Sequence, residues 1–182
     1  MMKNTAPLFL VLFALGNTTA AELQISATEP IMVVAPAGWE NAPRGPVPFP
    51  TLRIASTGDR NAVCLISILD KNHAEFKDTE LLKKILRGDS RPYVSSRGDL
   101  AKVEVKELPI PSGFGFYANF VDPDLVGKPV RKGSYKTATP IIVGIGSDYL
   151  IKATILCDDL QGRDYAEALE IVKSIQVAKP RA

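Results

Sequence analysis

The chain has 182 residues, of which 22 are lysine or arginine and 20 are aspartate or glutamate, giving a formal net charge of +2. So small a net charge provides no electrostatic basis for binding nucleic acid or an anionic lipid surface. Hydrophobic residues make up 46% of the chain, which excludes intrinsic disorder despite the 14 prolines and is enough for one domain with a core.

The N-terminal segment, residues 1–21, has the features of a secretory signal peptide. Lys3 forms a positive n-region, Pro7 to Gly16 an apolar h-region, and Asn17 to Ala21 a cleavage zone of small residues. The apolar stretch is too short for a membrane span, and the remaining chain has no run of the ~18 apolar residues that a span needs. The sequence therefore predicts a periplasmic or secreted protein with one mature domain, residues 22–182.

The first part of that domain predicts strands joined by turns. Leu23 to Ala35 has alternating apolar positions, and a Pro-Ala-Gly turn then places Trp39 as an aromatic anchor on the core. The proline-rich segment 43–50 is expected to be a surface loop. Thr51–Ser56 and Ala62–Leu69 predict a hairpin, because β-branched residues flank a Gly-Asp turn.

The first predicted helix follows a possible N-cap at Asp78 or Thr79. Its apolar stripe starts at the Leu81-Leu82 pair, and Gly88 is expected to end it.

The second part predicts more strands and a closing helix. Ala101–Leu108 alternates apolar and charged residues, and the segment from Phe114 to Phe120 alternates as well, so the two are expected to pair antiparallel. Ile141–Ile145 and Tyr149–Leu156 predict a further hairpin. Helical periodicity starts near 162–164 and ends before residue 179. Strands outnumber helices, which predicts an α+β fold with helices packed on an antiparallel sheet.

Several of these segments together resemble the Mog1/PsbP/DcrB-like superfamily. They are Ala35-Pro36-Ala37-Gly38-Trp39, the Leu81-Leu82 helix, the meander over 103–156, and the closing helix from Tyr165 to Ile175. The resemblance implies an α/β/α sandwich built on a largely antiparallel sheet. It also implies an accessory or partner-binding module, since that superfamily has no shared catalytic residues. No functional residue is carried over, because the matching residues occupy packing positions.

The sequence offers no recognisable catalytic, cofactor or metal motif. His73 is the single histidine, no Gly-x-Ser-x-Gly elbow is present, and the cysteines are too far apart for zinc-type spacing. Carboxylates alone can carry acid–base hydrolysis, and the acidic loops make Asp122, Asp158 and Asp159 the candidates for it. The same loops are weak candidates for calcium, since neither has the spacing of an EF-hand.

Cys64 and Cys157 are the two cysteines, and each falls in a strand-like apolar run. In an oxidising compartment they could form a disulfide between distant strands. Two separately buried thiols are the alternative.

A basic cluster is the candidate interaction loop: Lys128, Arg131, Lys132 and Lys136. Such a run is either a solvated loop or a surface for an acidic partner.

Three functions remain open at this point. The first is a non-enzymatic accessory protein of the cell envelope that binds an envelope protein. The second is a small-ligand carrier, whose cleft would be lined by Phe114, Phe116, Tyr117 and Phe120. The third is the carboxylate-based hydrolase.

Overall fold

The computed structural model describes residues 21–26, 29–42, 49–71, 74–94 and 100–178. Residues 1–20 of the expected signal peptide, His73 and most of the proline-rich loop lie outside these ranges. The described elements are β1 (Ala21–Ser26), β2 (Glu29–Ala35), β3 (Trp39–Asn41), β4 (Thr51–Ser56), β5 (Val63–Lys71), α1 (Thr79–Asp89), β6 (Lys106–Ile110), β7 (Gly113–Tyr117), β8 (Phe120–Val121), β9 (Thr137–Ile145), β10 (Tyr149–Cys157), α2 (Arg163–Lys173) and β11 (Gln176–Val177).

The strands form two antiparallel sheets. The main sheet has eight strands in the order β3-β4-β5-β10-β9-β7-β6, with β8 also paired to β9, and the small sheet has the order β1-β2-β11. Every residue of β9 is buried, as expected for a central strand covered on both faces. The antiparallel hairpins predicted around β4–β5, β6–β7 and β9–β10 are all confirmed.

Alternation along β9 divides the core into two layers. Ile141 and Val143 point into the larger core cluster, which also holds buried residues of α2 and the small sheet. Ile142 points to the opposite face, where Leu82 and Leu86 of α1 cover it. Helices thus pack on both faces of the main sheet, which confirms the expected α/β/α sandwich. Within the described ranges, no helix is long and apolar enough to cross a membrane.

Helix α1 begins where the sequence predicts and ends beyond it. The Asp78 side chain accepts hydrogen bonds from the second and third backbone N–H groups of the helix, at 2.9 and 3.2 Å. Gly88 lies inside the helix, so its prediction as the end is wrong. The stop comes at Ser90, whose N–H and hydroxyl both donate to the Leu86 carbonyl at 2.9 and 2.8 Å.

Two predicted strands have different limits in the structure. The alternating stretch 23–35 is a hairpin of β1 and β2, in which Gln24 pairs with Met32. The strand predicted from Ala101 begins only at Lys106, after a 3₁₀ turn over Leu100–Lys102. Val103 and Val105 still pack against the core on the α1 side. Alternation reports which side chains are buried, and it does not by itself report ladder pairing.

Candidate functional site: an apolar groove beside a basic loop

A groove of about 560 Å³ opens on the α1 side of the main sheet. Leu156 and Ala138 pair across β10 and β9 and belong to its floor, together with Phe120 and Val121 of β8. Pro92, Tyr93 and Val94, which follow α1, form the facing wall. Cavities of this volume with a mostly apolar lining are typical of ligand and anchor-residue sites.

Two aromatic rings fix the shape of the groove. Tyr93 stacks on Phe120 with ring centroids 5.4 Å apart and an interplanar angle of 27°. Tyr93 is placed by the end of α1, which Lys152 of β10 binds through an ion pair with Asp89 at 2.5 Å. Burial raises the pKa of the Tyr93 hydroxyl, with the charge of Lys152 acting in the opposite direction.

The loop between β8 and β9, residues 122–136, is called here the basic loop. Both of its ends line the groove, Asp122 and Pro123 at one end and Tyr135 and Lys136 at the other. The Asp122 N–H donates to the Lys136 carbonyl at 2.8 Å, which closes the loop at its base. The loop therefore projects directly from the rim of the groove.

One limb of the basic loop is held against the turn between β4 and β5. The side-chain amide of Asn61 donates to the Ser134 carbonyl at 2.8 Å and accepts from the Gly133 N–H at 2.9 Å. The Lys132 ammonium donates to the Gly58 carbonyl. These bonds position the loop, and of its basic side chains they involve only Lys132.

The four basic residues predicted as an interaction loop thus have different environments. Lys132 is bound to Gly58, and Lys136 lies half-buried at the groove. Lys128 and Arg131 are exposed, and their side chains have no hydrogen bond or ion pair with any part of the chain that the structure describes. Lys128 and Arg131 are therefore the two exposed cations of this loop whose side chains are bonded to no other described residue.

The four aromatic residues proposed to line one cleft do not do so. Phe114 and Phe116 lie along a different cleft of about 520 Å³, beside β6 and β7. Tyr117 packs against the larger core cluster, and Phe120 alone belongs to the groove. Phe114 and Phe116 point to the face opposite Tyr117, because the side chains of a strand alternate.

The three candidate carboxylates are also divided between two places. Asp158 accepts from the Asn61 amide at 3.0 Å and the Lys136 N–H at 3.4 Å, and Asp159 accepts from the Gln161 N–H at 2.8 Å. Both line a small cleft of about 250 Å³, whereas Asp122 lines the groove. Among the described residues, no group of three or more His, Cys, Asp or Glu side chains is arranged to hold a metal ion.

Cys64 and Cys157 are separate free thiols in the structure, and both are buried. Cys64 pairs with Ile155 across β5 and β10, so Cys157 is its diagonal neighbour on the same face. Diagonal Cα atoms are typically about 7–8 Å apart, beyond the usual ~4.4–6.8 Å of a disulfide. Burial raises the pKa of the Cys64 thiol to about 12. The structure therefore has two separate buried thiols, and the disulfide between Cys64 and Cys157 is not formed in it.

A polar cluster that no sequence pattern predicts lies at the same end of the main sheet as the groove. We call it the Arg60 clamp: Trp39, Arg60, Arg163, Asp164 and Glu167. The Trp39 indole N–H donates to Glu167 at 2.7 Å, and the Arg60 Nε donates to Asp164 at 2.6 Å. Arg60 also binds Glu167 and lies 5.3 Å from the centroid of the Trp39 ring. Arg163 donates to Glu167 at 2.6 Å.

The clamp acts on the groove indirectly. It binds the turn between β4 and β5 to the first turn of α2, and the same turn carries Gly58 and Asn61, which hold the basic loop. Trp39 and Arg60 are more than 100 positions away from Asp164 and Glu167, so no local pattern indicates the cluster. Trp39 was predicted only as a packing residue, which its 5% exposure confirms.

No protein-family model and no curated protein matches the chain. Solved structures do match. The Ran-binding protein Mog1p of Saccharomyces cerevisiae superposes with a TM-score of 0.53 at 11% identity, over 88% of this chain and 96% of Mog1p. Cyanobacterial PsbP (CyanoP) from Synechocystis gives a TM-score of 0.50 at 9% identity, over 90% of this chain and 95% of that protein.

This chain has the Mog1/PsbP-like fold. A crystal structure from Bacteroides thetaiotaomicron also matches, with a TM-score of 0.54 at 13% identity over 83% of this chain. This chain spans 46% of the Bacteroides chain. At such identities the likeness to Mog1/PsbP-like structures shows the fold alone.

Proposed function

We propose that this protein is an exported, non-enzymatic module of the cell envelope that binds a partner protein at the groove and the basic loop. The observation that carries the proposal is the position of Lys128 and Arg131, two exposed cations without a bonded group in the described chain, on a loop whose two ends line an apolar groove. The signal-peptide pattern supports export. Mog1p, which has the same fold, is a Ran-binding protein, and this supports protein binding as a function of the fold.

Exposed apolar side chains concentrate at the same place. Of the six large hydrophobic residues that are exposed in the described chain, Tyr93 and Val121 line the groove and Val126 lies on the basic loop. Val121 is 51% exposed and Val126 is 61% exposed. Apolar residues gathered around a concave surface and bordered by charge are typical of a protein interface.

The test is partner capture with full-length tagged protein, gently isolated from the envelope of its own host and analysed by native mass spectrometry. We expect a stable extra mass of protein size on the wild type. Lys128→Ser with Arg131→Ser should reduce that complex by about tenfold or more, because charge pairs at an interface contribute to its affinity.

The matched control removes two charges elsewhere. Lys84 and Lys102 are also exposed, so Lys84→Ser with Lys102→Ser changes the net charge by the same amount away from the groove. Capture that is equal in wild type, loop variant and control would contradict a role for the basic loop. A monomer without any bound protein would contradict the proposed function.

A small-ligand carrier is the second candidate, and the volume of the groove favours it. About 560 Å³ lies in the range of pockets that hold small molecules. In the same native mass spectra a carrier would have an extra mass of a few hundred daltons. Val121→Asp should remove that mass, because the substitution introduces a charge into the apolar lining.

A further inference from the structure

The proposed partner site also indicates the chemistry of the partner. Resting on the proposed function, we propose that the partner presents an acidic segment that inserts one large apolar side chain into the groove. The inserted side chain packs beside the Tyr93–Phe120 pair, and carboxylates of the same segment bind Lys128 and Arg131.

The lining of the groove determines the inserted group. Phe120, Val121 and Leu156 offer apolar contacts, and so does the aromatic ring of Tyr93, a residue that is 37% exposed. An aromatic or large aliphatic side chain fills such a space, since aromatic residues bury the most area per residue and prefer offset stacking on other rings. Interfaces concentrate their binding energy in anchors of this kind.

The charge of the loop determines the rest of the segment. Residues 122–136 contain four basic and two acidic side chains, a net charge of +2. Asp122 is occupied as the cap of the 3₁₀ turn Pro123–Leu125, where it accepts from the Asp124 N–H at 2.9 Å. The loop thus keeps a net charge of +2, with Lys128 and Arg131 as exposed cations bonded to no described residue, and this charge attracts carboxylates and repels a basic segment.

The loop is already positioned for this contact. Asn61 and Gly58 hold its second limb through the bonds to Ser134, Gly133 and Lys132. A preorganised loop loses less conformational entropy on binding than a free one. The acidic segment can therefore bind a surface that exists before the partner arrives.

Site-specific photo-crosslinking tests the inference. A photoreactive benzoylphenylalanine replaces Val121 in the full-length chain, expressed in its own host, and in a second variant it replaces Val126 on the basic loop. Val177 of β11 is the control, because it is also an exposed valine but lies in the small sheet, on the opposite face of the main sheet from α1. The crosslinked partner peptide is sequenced and synthesised as the probe for titration.

We expect crosslinks at Val121 or Val126 and none at Val177. The peptide should have a net negative charge and an aromatic or large aliphatic residue at the site of crosslinking. The dissociation constant of the peptide from this protein should rise about tenfold when Lys128→Ser and Arg131→Ser are combined, and in the wild type it should rise with salt concentration. It should not change in the control variant with Lys84→Ser and Lys102→Ser.

The possible failures separate the two proposals. A crosslinked peptide that is neutral or basic, or whose affinity ignores the loop variant, overturns the acidic-segment inference and leaves the proposed function standing. Crosslinking at Val177 alone places the partner on the opposite face and overturns the groove as its site. Absence of protein crosslinks at all three positions, or a bound mass of a few hundred daltons, overturns both.

Discussion

The Arg60 clamp gives the sharpest stability prediction, and Glu167→Gln is the perturbation. Glu167 accepts hydrogen bonds from Trp39, Arg60 and Arg163, and it is 20% exposed. Glutamine has nearly the same shape but no charge. The substitution therefore removes the electrostatic part of the clamp and leaves the packing of α2 in place.

The magnitude follows from the pKa of the Glu167 carboxyl. Burial alone would raise this pKa, but the hydrogen bonds from Trp39, Arg163 and Arg60 and the charge of Arg60 outweigh burial and lower it from 4.5 to about 2. At about 1.4 kcal/mol per pKa unit, this corresponds to an upper bound of roughly 3–4 kcal/mol. Solvent screening of a partly exposed group reduces it, so we expect Glu167→Gln to lower the free energy of unfolding by about 1–2 kcal/mol near neutral pH.

The loss of stability from Glu167→Gln should depend on pH, and the lowered pKa fixes the direction of that dependence. A carboxyl whose pKa is lower in the folded than in the unfolded chain stabilises the fold fully above its ordinary value of 4.5. That contribution disappears as the pH falls toward 2. The difference in unfolding free energy between wild type and Glu167→Gln should therefore shrink as the pH is lowered through this range.

Urea unfolding followed by tryptophan fluorescence measures the difference, near pH 7 and again at about pH 3. Glu170→Gln is the matched control on the same helix, because Glu170 is 67% exposed and pairs only with Lys173 at 2.7 Å. Such surface pairs contribute about 0–1 kcal/mol. Equal losses for the two variants, or a loss from Glu167→Gln that does not change with pH, would refute the reasoning.

Four further predictions concern the core and α1. Gly144→Ala should destabilise the fold by about 1–3 kcal/mol in urea unfolding, because the new methyl would lie 2.3 Å from a backbone oxygen of the 3₁₀ turn before α1. Gly88→Ala should instead stabilise by about 0.5–1 kcal/mol, since apart from the neighbouring backbone of its own helix the new methyl meets no atom within 4 Å, and a loss would contradict this. Asp78→Ala should cost about 1 kcal/mol, with most of it recovered by Asp78→Asn, and equal effects would argue against capping. Cys64 and Cys157 should both label without reductant in denaturant, whereas the absence of any reactive thiol would show a disulfide.

The fold follows from local signals in the sequence to a large extent. The strand Thr51–Ser56 agrees with its predicted limits, and the apolar stripe of α2 identifies that helix with its start. A strand limit is predicted wrongly where alternation of apolar residues reflects burial and not strand pairing. The alternation of Val103 and Val105 reports burial under α1, but hydrogen-bonded pairing starts only at Lys106.

The groove and the clamp could not be predicted in the same way. Tyr93 and Leu156 are 63 positions apart in the sequence, and they line one groove because the end of α1 is paired with β10. Asp164 and Glu167 at the start of α2 bind Arg60 of the turn between β4 and β5. Interactions between such distant residues leave no periodicity in the chain.

The small sheet constrains the order in which the chain can fold. In this sheet β2 pairs with β11, so that Met32 lies opposite Gln176, and Ser174 accepts the Val34 N–H at 2.8 Å. Contacts over so long a stretch form late, because the intervening chain must first be brought together. A growing chain therefore cannot complete this sheet until residues near 176 have been synthesised. Such a delay would serve the export proposed above, since a chain that is not yet folded can still pass through a translocation channel.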